Sequence, residues 1–163
     1  MERTILIFKF LFTIFFLIIL NNKVQSENFI EGKAKIIDGD TIHIGKNKIR
    51  FHGIDAPEIK QTCLINNNIW NCGLESKKAL KNFILEKKVN CKIIDTDRYD
   101  RFIGVCFVNN KNINKYMVKS GWAIAYRYYS LDYIDDEKKA KINKKGIWKG
   151  TFIDPYLYRK KNK

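Results

Sequence analysis

The chain has 163 residues and a net charge of +14, from 31 Lys and Arg against 17 Asp and Glu. This length argues against several domains and favours one. A positive charge of this size favours a polyanionic partner, because phosphates that meet Lys or Arg release their counterions. The charge alone leaves a second explanation open, because the chain is also rich in Lys, Asn and Ile, the residues of AT-rich codons.

The first residues have the three-part plan of a secretory signal. Arg3 and Lys9 lie around an apolar run over residues 10–20, and a polar stretch then leads to Ser26. This pattern predicts a signal peptide over residues 1–26, cleaved after Ser26. The apolar run is too short to span a bilayer comfortably, so we expect export to the periplasm or the medium without stable membrane association. A retained amino-terminal anchor is the alternative.

The order of elements in the remaining domain, residues 27–163, predicts an α+β fold that is mainly β. Turn-forming Asp, Gly and Asn separate the strands, and apolar residues at helical spacing mark the helices. In chain order we predict three strands, a helix, two strands and two helices, over residues 33–38, 41–44, 48–54, 74–86, 89–96, 102–108, 113–120 and about 132–145. Five strands with an intervening helix suit a small Greek-key barrel of the OB type with three helices. The core would cover about residues 33–152, and the basic end, residues 153–163, would be a flexible tail.

Four cysteines lie in the predicted mature chain: Cys63, Cys72, Cys91 and Cys106. An even number of cysteines in an exported chain predicts two disulfides, for which three pairings exist. If residues 98–99 form a two-residue hairpin tip, Cys91 stands directly across from Cys106, at a spacing that a cross-strand disulfide can bridge. Cys63 and Cys72 would then close the Asn-rich loop. Zinc is the competing interpretation, but the chain has no CxxC pair.

Six charged residues stand out by position at predicted turns and strand ends: Asp38, Asp40, Arg50, Asp55, Glu58 and Arg101. Carboxylates that converge from loop ends can hold a hard divalent cation. Arginine forks bind phosphate, and a remaining carboxylate could take a proton from attacking water. These are the parts of a metal-assisted phosphodiester hydrolysis. Asp and Gly at turns are also ordinary loop chemistry, so this pattern alone leaves a structural explanation open.

Five ordered sequence blocks make the identification more specific. They are IDGDT at 37–41, IRFHGIDAPE at 49–58, DRYDR at 97–101, GWAIAY at 121–126 and GIW at 146–148. Together they resemble the thermonuclease family, that of staphylococcal nuclease, over roughly residues 33–152. The loop from Cys63 to Cys72 is similar to the exported bacterial branch of this family, which carries cysteines there.

The resemblance implies a staphylococcal-nuclease-like barrel and a calcium-dependent, monomeric endonuclease. Such an enzyme would cut DNA and RNA without preference for the sugar and leave 3′-phosphate products. Asp40 and Asp55 would be the carboxylate ligands of Ca²⁺, and the backbone carbonyl of Ala56 would also reach the ion. Nucleic acid would be the substrate, so the resemblance agrees with the basic charge of the chain.

The same resemblance assigns the catalytic positions. Glu58 would act as the general base or orient the attacking water. Arg50 would bind the scissile phosphate and stabilise the transition state, and Arg101 would do so from the opposite side. Tyr126 and Tyr128 fall where the family places tyrosines that stack on or touch the bound nucleotide.

The predicted hairpin tip adds two substrate contacts and one departure from the family. We expect Arg98 and Tyr99 to bind substrate there. Asp100 stands where the family usually has Gly, but Asp tolerates a left-handed turn better than most residues. Its charge could pair with Arg101 or Arg98 and weaken phosphate binding, so we expect reduced affinity and retained chemistry.

A non-catalytic OB-type module that grips nucleic acid through aromatic and basic residues is the alternative function. Simple binding does not need the full set of acidic and basic residues, namely Asp40, Arg50, Asp55, Glu58 and Arg101.

Overall fold

The computed structural model describes residues 28–162. The predicted signal peptide, residues 1–26, therefore lies outside the described part. Within residues 28–162, no helix has the length and apolar character needed to cross a membrane.

The described chain alternates short strands with four α-helices and one 3-10 helix. In chain order the elements are β1 (Phe29–Ile36), β2 (Thr41–Ile44), β3 (Asn47–Phe51), β4 (Ile54–Asp55), β5 (Cys63–Ile65), β6 (Asn68–Trp70), α1 (Cys72–Ile84), β7 (Lys88–Thr96), β8 (Phe102–Val108), β9 (Lys111–Asn112), α2 (Ile113–Lys119), β10 (Ile124–Ala125), α3 (Ile134–Ile142), a 3-10 helix (Gly146–Lys149) and α4 (Pro155–Lys161).

The predicted five-stranded barrel is confirmed. Strands pair in the order β3-β2-β1-β7-β8, and β3 also pairs with β8, in parallel, which closes the sheet on itself. The sequence predicts three helices, whereas the described chain has a fourth, α4. The expectation of a flexible tail over residues 153–163 therefore differs from the structure, which has an ordered helix over Pro155–Lys161.

Side-chain alternation fills the barrel interior. Successive residues of a strand point to opposite faces, so alternate positions of β3, β8 and the first part of β7 are buried. Two helices, α1 and α2, pack over the interior. The largest fully buried apolar side chains are Ile42, Ile49, Phe51, Ile54, Leu80, Ile113, Met117 and Ile147.

The β7–β8 hairpin confirms the predicted cysteine pairing but not the predicted turn. Cys91 lies directly opposite Cys106, and the two form a disulfide with Cα atoms 4.0 Å apart. The register shifts between Ile93 and Asp95, so the strands end at a longer loop over residues 97–101. The predicted two-residue tip is therefore wrong, because β7 contains one residue more than the part of β8 that pairs with it.

The second predicted disulfide is also present. It joins Cys63 to Cys72, with Cα atoms 5.7 Å apart, and so ties β5 to the start of α1. The Asn-rich segment between these cysteines is a small hairpin of β5 and β6. Its tip residues, Asn66 and Asn67, have φ angles of 50° and 65°, a left-handed conformation that Asn adopts more readily than most residues.

Glu137 fixes α3 to the short strand β10. Its Oε1 accepts a hydrogen bond of 3.0 Å from the amide of Ala125, and its Oε2 accepts bonds from Arg127 and Lys141. Burial would raise the pKa of Glu137, but the hydrogen bonds from Arg127 and Lys141 outweigh it and lower the pKa. This carboxylate thereby sets the position of the chain that continues into Tyr126.

We expect Glu137→Gln to lower the free energy of unfolding by about 1–2 kcal/mol, because glutamine loses the charge that holds Arg127 and Lys141. The loss stays this small because both cationic partners are partly solvated. A lowered folded-state pKa contributes stability above the unfolded pKa, about 4.3, and that stability is lost as pH falls below it. The variant should therefore lose less stability than the wild type between about pH 5 and pH 3 in urea titrations. Glu75→Gln, which breaks an exposed pair with Lys78, is the control and should change stability by less than about 0.5 kcal/mol. Parallel pH curves for wild type and Glu137→Gln would contradict the assignment.

Candidate active site

One cleft collects most of the residues that the sequence predicts as functional. It has a volume of about 930 Å³ and lies between the end of β3, the β7–β8 loop, the segment after β10 and helix α4. The predicted residues that line it are Arg50, Glu58, Arg98, Tyr99, Arg101 and Tyr126. Asp40 and Asp55 are buried behind it and reach it through their contacts with Arg50.

Arg50 is the centre of the acidic part of the cleft. It pairs with Ile103 across the β3–β8 seam, so the barrel closure itself places its Cα. Its Nη1 donates to Asp40 Oδ1 and its Nη2 donates to Asp55 Oδ1, each at 2.7 Å. Burial alone would lower the pKa of Arg50, but Asp40 and Asp55 raise it, so the guanidinium stays charged. One arginine thus holds two carboxylates together.

The turn between β1 and β2 presents Asp40 to this arginine. A Cβ at Gly39 would stand 2.0 Å from Ser76 Oγ and 2.7 Å from the Ala56 side chain, so only glycine allows the turn to pack so closely. The Asp38 carboxylate accepts the amide of Asp40 at 3.0 Å. Asp40 Oδ2 in turn accepts the amide of Ala56 at 2.8 Å. The turn is therefore locked onto the segment that carries Asp55.

Three contacts of the backbone position Asp55 and Glu58. Asp55 pairs with Ile124 in the β4–β10 ladder. A Cβ at Gly73 would stand 1.7 Å from the carbonyl oxygen of Glu58, so the start of α1 packs directly on that peptide. The amide of Glu58 donates to Gln61 Oε1 at 3.2 Å, which folds the 58–61 segment into a tight turn. Packing from α1 therefore sets where the Glu58 side chain begins.

Crowded acidic groups make this part of the cleft favourable for a cation. Burial, followed by repulsion from Asp40, raises the pKa of Asp38 to about 7. Burial also raises the pKa of Asp55, against the opposing hydrogen bond from Arg159. In both cases burial disfavours the charged carboxylate and the neighbouring arginines oppose the shift.

Arg159 is the main residue that the sequence analysis missed. Its Nη1 and Nη2 donate to Asp55 Oδ1 at 2.8 Å and to Oδ2 at 2.9 Å, and Nη1 also donates to Glu58 Oε1 at 2.9 Å. The sequence did carry one signal for the helix that presents it. Asp154 followed by Pro155 is an N-cap with proline in the first turn, the pattern that starts a helix.

The donor set fits a hard divalent cation but does not form a complete cage. Among residues 28–162, no group of three or more His, Cys, Asp or Glu side chains is arranged to hold a metal ion. Asp40 and Asp55 both offer carboxylate oxygens that converge on the Arg50 guanidinium. Ca²⁺ takes six to eight oxygen ligands, which include backbone carbonyls and water, so two carboxylates can suffice as its protein anchors.

The β7–β8 loop places Arg101 in the same cleft. Its Nε and Nη2 donate to Asp97 Oδ2 at 2.8 and 2.7 Å, and its guanidinium lies 5.6 Å from the centre of the Tyr99 ring. The pairing suggested for Asp100 with an arginine is not formed, because Asp97 holds Arg101 from within the loop. Asp100 does adopt the expected left-handed conformation, with φ of 55°.

Aromatic side chains form one wall of the cleft. Tyr126, Tyr129 and Tyr156 line it, and the rings of Tyr126 and Tyr129 meet edge to face with centres 5.1 Å apart. Tyr128, predicted to bind substrate, is 83% exposed and packs against Tyr129 outside the cleft lining. The sequence analysis did not single out Tyr129 and Tyr156.

Comparison with known proteins agrees with this arrangement. Residues 48–150 match the protein family described as Staphylococcal nuclease homologue. This segment includes Arg50, Asp55, Glu58 and Arg101 but stops before Arg159.

Three curated relatives illustrate the similarity. The chain is 36% identical over 124 residues to the succinoglycan biosynthesis protein ExoI of Rhizobium meliloti (strain 1021), a match that covers 74% of this chain and 65% of that protein. It is 35% identical over 138 residues to an uncharacterized endonuclease of Haemophilus influenzae, with 80% and 72% covered. It is 29% identical over 148 residues to a micrococcal nuclease of Shigella flexneri, with 80% of each covered. The match thus spans just under two thirds of the ExoI protein and larger shares of the other two.

We expect Asp97→Asn to release the Arg101 side chain while the loop keeps its shape. Asn can still accept the amides of Tyr99 and Arg101 through its oxygen, but it loses the charge that holds the guanidinium. If the lost bond is worth about 1.4 kcal/mol, solvent exchange of the Arg101 Nε proton should rise by about tenfold. Nuclear magnetic resonance of the arginine Nε protons measures this rate. The control, Asp100→Asn, should leave it unchanged, and equal rates in both variants would contradict the pairing.

Proposed function

The chain belongs to the staphylococcal nuclease homologue family, and we propose that it is a calcium-dependent nuclease that hydrolyses phosphodiester bonds in DNA and RNA. The observation that supports this most strongly is one cleft lined by Arg50, Glu58 and Arg101, with Asp40 and Asp55 at its base. From the family resemblance we further propose that it cleaves DNA and RNA without preference for the sugar and leaves 3′-phosphate products.

In this proposal the two arginines act on the phosphate from different elements of the barrel. Arg50 comes from the β3–β8 seam, and Arg101 comes from the loop that precedes β8. Both guanidiniums can donate paired hydrogen bonds to phosphate oxygens, on which charge grows in the transition state. Each is held by a carboxylate in the structure, so each is oriented before substrate arrives.

Glu58 is the proposed general base. It lines the cleft beside Arg50 and is partly exposed, so water can reach its carboxylate. Asp40, Asp55 and the backbone carbonyl of Ala56 would hold Ca²⁺, which when bound supplies positive charge that stabilises the phosphate oxyanion. Burial of the two aspartates keeps them from acting as alternative bases for bulk water.

The remaining lining residues support a nucleic-acid substrate of either sugar type. Lys48, Arg98 and Lys160 add positive charge along the cleft, and Tyr99, Tyr126, Tyr129 and Tyr156 offer ring faces. Contacts to phosphate and stacking on bases carry little information about sequence or sugar. Tyr128, on the exposed rim, could contact a strand that leaves the cleft.

We further propose that the domain acts after export, as a monomer, in the periplasm or outside the cell. The two disulfides support an oxidising compartment, because cytosolic proteins rarely keep such bonds. The predicted signal over residues 1–26 is the proposed route. We also propose that the exported nuclease domain comprises residues 27–163.

We expect Arg50→Ala, Arg101→Ala and Glu58→Ala each to lower the rate of DNA and RNA cleavage by about 10³-fold, a loss of about 4 kcal/mol of transition-state stabilisation. Labelled DNA and RNA assayed with calcium, and with a chelator in excess, provide the measurement. Lys111→Ala, which removes an exposed charge away from the cleft, is the matched control and should cleave like the wild type. Far-ultraviolet circular dichroism checks that each variant is folded.

Three outcomes would defeat parts of this proposal. Cleavage that persists in chelator would remove calcium from the mechanism. Binding of DNA or RNA without any cleavage in calcium would instead support the non-catalytic OB-type module. Wild-type rates in one substituted protein would remove the role given to that residue alone.

A further inference from the structure

Helix α4 brings a fourth arginine into the cleft, far along the chain from Arg50, Arg98 and Arg101. Arg159 donates three hydrogen bonds of 2.8–2.9 Å to Asp55 and Glu58. The Asp55 side chain has no exposed surface, whereas the Arg159 side chain is 30% exposed. The arginine therefore approaches from the solvent side and covers the open face of Asp55.

Several contacts outside the arginine hold α4 at this position. Asp154 caps the helix by accepting the amides of Tyr156 and Leu157. Gln61 Nε2 donates to the carbonyl of Ile153 at 2.6 Å, and the Tyr158 hydroxyl donates to the carbonyl of Lys60 at 3.2 Å. The helix thus packs on the turn that follows Glu58. This packing places Arg159 beside Asp55 and Glu58.

The oxygens that Arg159 occupies are those that a cation at this site would need. A carboxylate has about four acceptor positions. On Asp55, Arg50 takes one of them and Arg159 takes two, one on each oxygen. One acceptor position remains, on Oδ2, but a calcium ion there would lie against the Arg159 guanidinium that donates to the same oxygen, so the two cations repel each other and compete for Asp55. Arg159 also holds Glu58, the proposed base.

We propose that Arg159 is a built-in competitor for the divalent cation: it closes the site by binding Asp55 and Glu58, and cation binding releases it. This inference rests on the proposed function insofar as Asp55 is a cation ligand there. Without the cation, the arginine neutralises the buried carboxylate and withholds the base. With the cation bound, Asp55 keeps a positive partner while Glu58 becomes free to contact water. Helix α4 thereby sets the cation concentration at which the site opens.

The first test measures calcium binding directly, without nucleic acid and without catalysis. Isothermal titration of the full protein with CaCl₂ should show binding on the order of tenfold tighter for Arg159→Ala than for the wild type. Arg159→Lys, which keeps the charge but cannot span both oxygens of Asp55, should fall between them.

Lys161→Ala is the matched control. Lys161 is exposed on the same helix and carries the same charge. Loss of long-range repulsion alone would tighten calcium binding equally in Lys161→Ala and Arg159→Ala, and that result would overturn the proposal. Unchanged or weaker binding in Arg159→Ala, or no calcium binding by either protein, would also overturn it.

Thermal unfolding gives a second readout that a purely structural role would not produce. Arg159→Ala should melt at a lower temperature than the wild type when calcium is chelated, because Asp55 loses one of its two arginine partners. At saturating calcium the two proteins should melt together. An equal difference in both conditions would show that Arg159 only supports the fold.

These results separate this inference from the proposed nuclease activity. Tighter calcium binding by Arg159→Ala in a protein that cleaves neither DNA nor RNA would support the competitor and defeat the nuclease. Calcium-dependent cleavage with identical calcium binding in Arg159→Ala and wild type would do the reverse.

Discussion

A carboxylate without solvent contact organises the candidate site. Asp55 is fully buried, and removing a charge from water without a partner costs several kcal/mol. Arg50 and Arg159 both meet this requirement through hydrogen bonds of 2.7–2.9 Å. Arg50 is fixed by the β3–β8 seam, whereas Arg159 covers Asp55 from the solvent side. The cation that can change is therefore the second one, on the solvent side of Asp55.

The barrel supplies the rigidity that this charge arrangement requires. Three separate segments meet at the site: the β1–β2 turn, the end of β4 and the start of α1. Their close packing leaves no room for a side chain at Gly39 or Gly73, so both positions are fixed by contact with Ser76 and with the Glu58 backbone. A shift of the α1 packing would therefore move Asp40 and Glu58 together, and the site would loosen as a unit.

How much of the fold and the site could be predicted depends on how close together in the sequence the interacting residues lie. The pairing of Cys91 with Cys106 could be predicted because a hairpin fixes the register of its own strands, even though the turn is longer than expected. Arg50 and Asp55 lie within one short block, so local sequence could predict that both belong to the candidate site, where they form an ion pair. Arg159 could not be placed, because its contact with Asp55 spans 104 positions and depends on how α4 docks. Only the helix start at Asp154 was visible in the sequence.

The partial exposure of Arg159 explains how such a site could exchange one cation for another. A fully buried pair would be too costly to break, whereas an arginine with water at its outer edge loses less when it leaves. A divalent ion carries twice the charge of a guanidinium, so the closely spaced carboxylates at the base of the cleft attract it more strongly. Exchange also never leaves Asp55 without a positive neighbour, since Arg50 stays in place throughout. The arrangement therefore favours the replacement of Arg159 by another cation over the loss of Arg159 without replacement. Helix α4, which carries Arg159, thus becomes part of the proposed site.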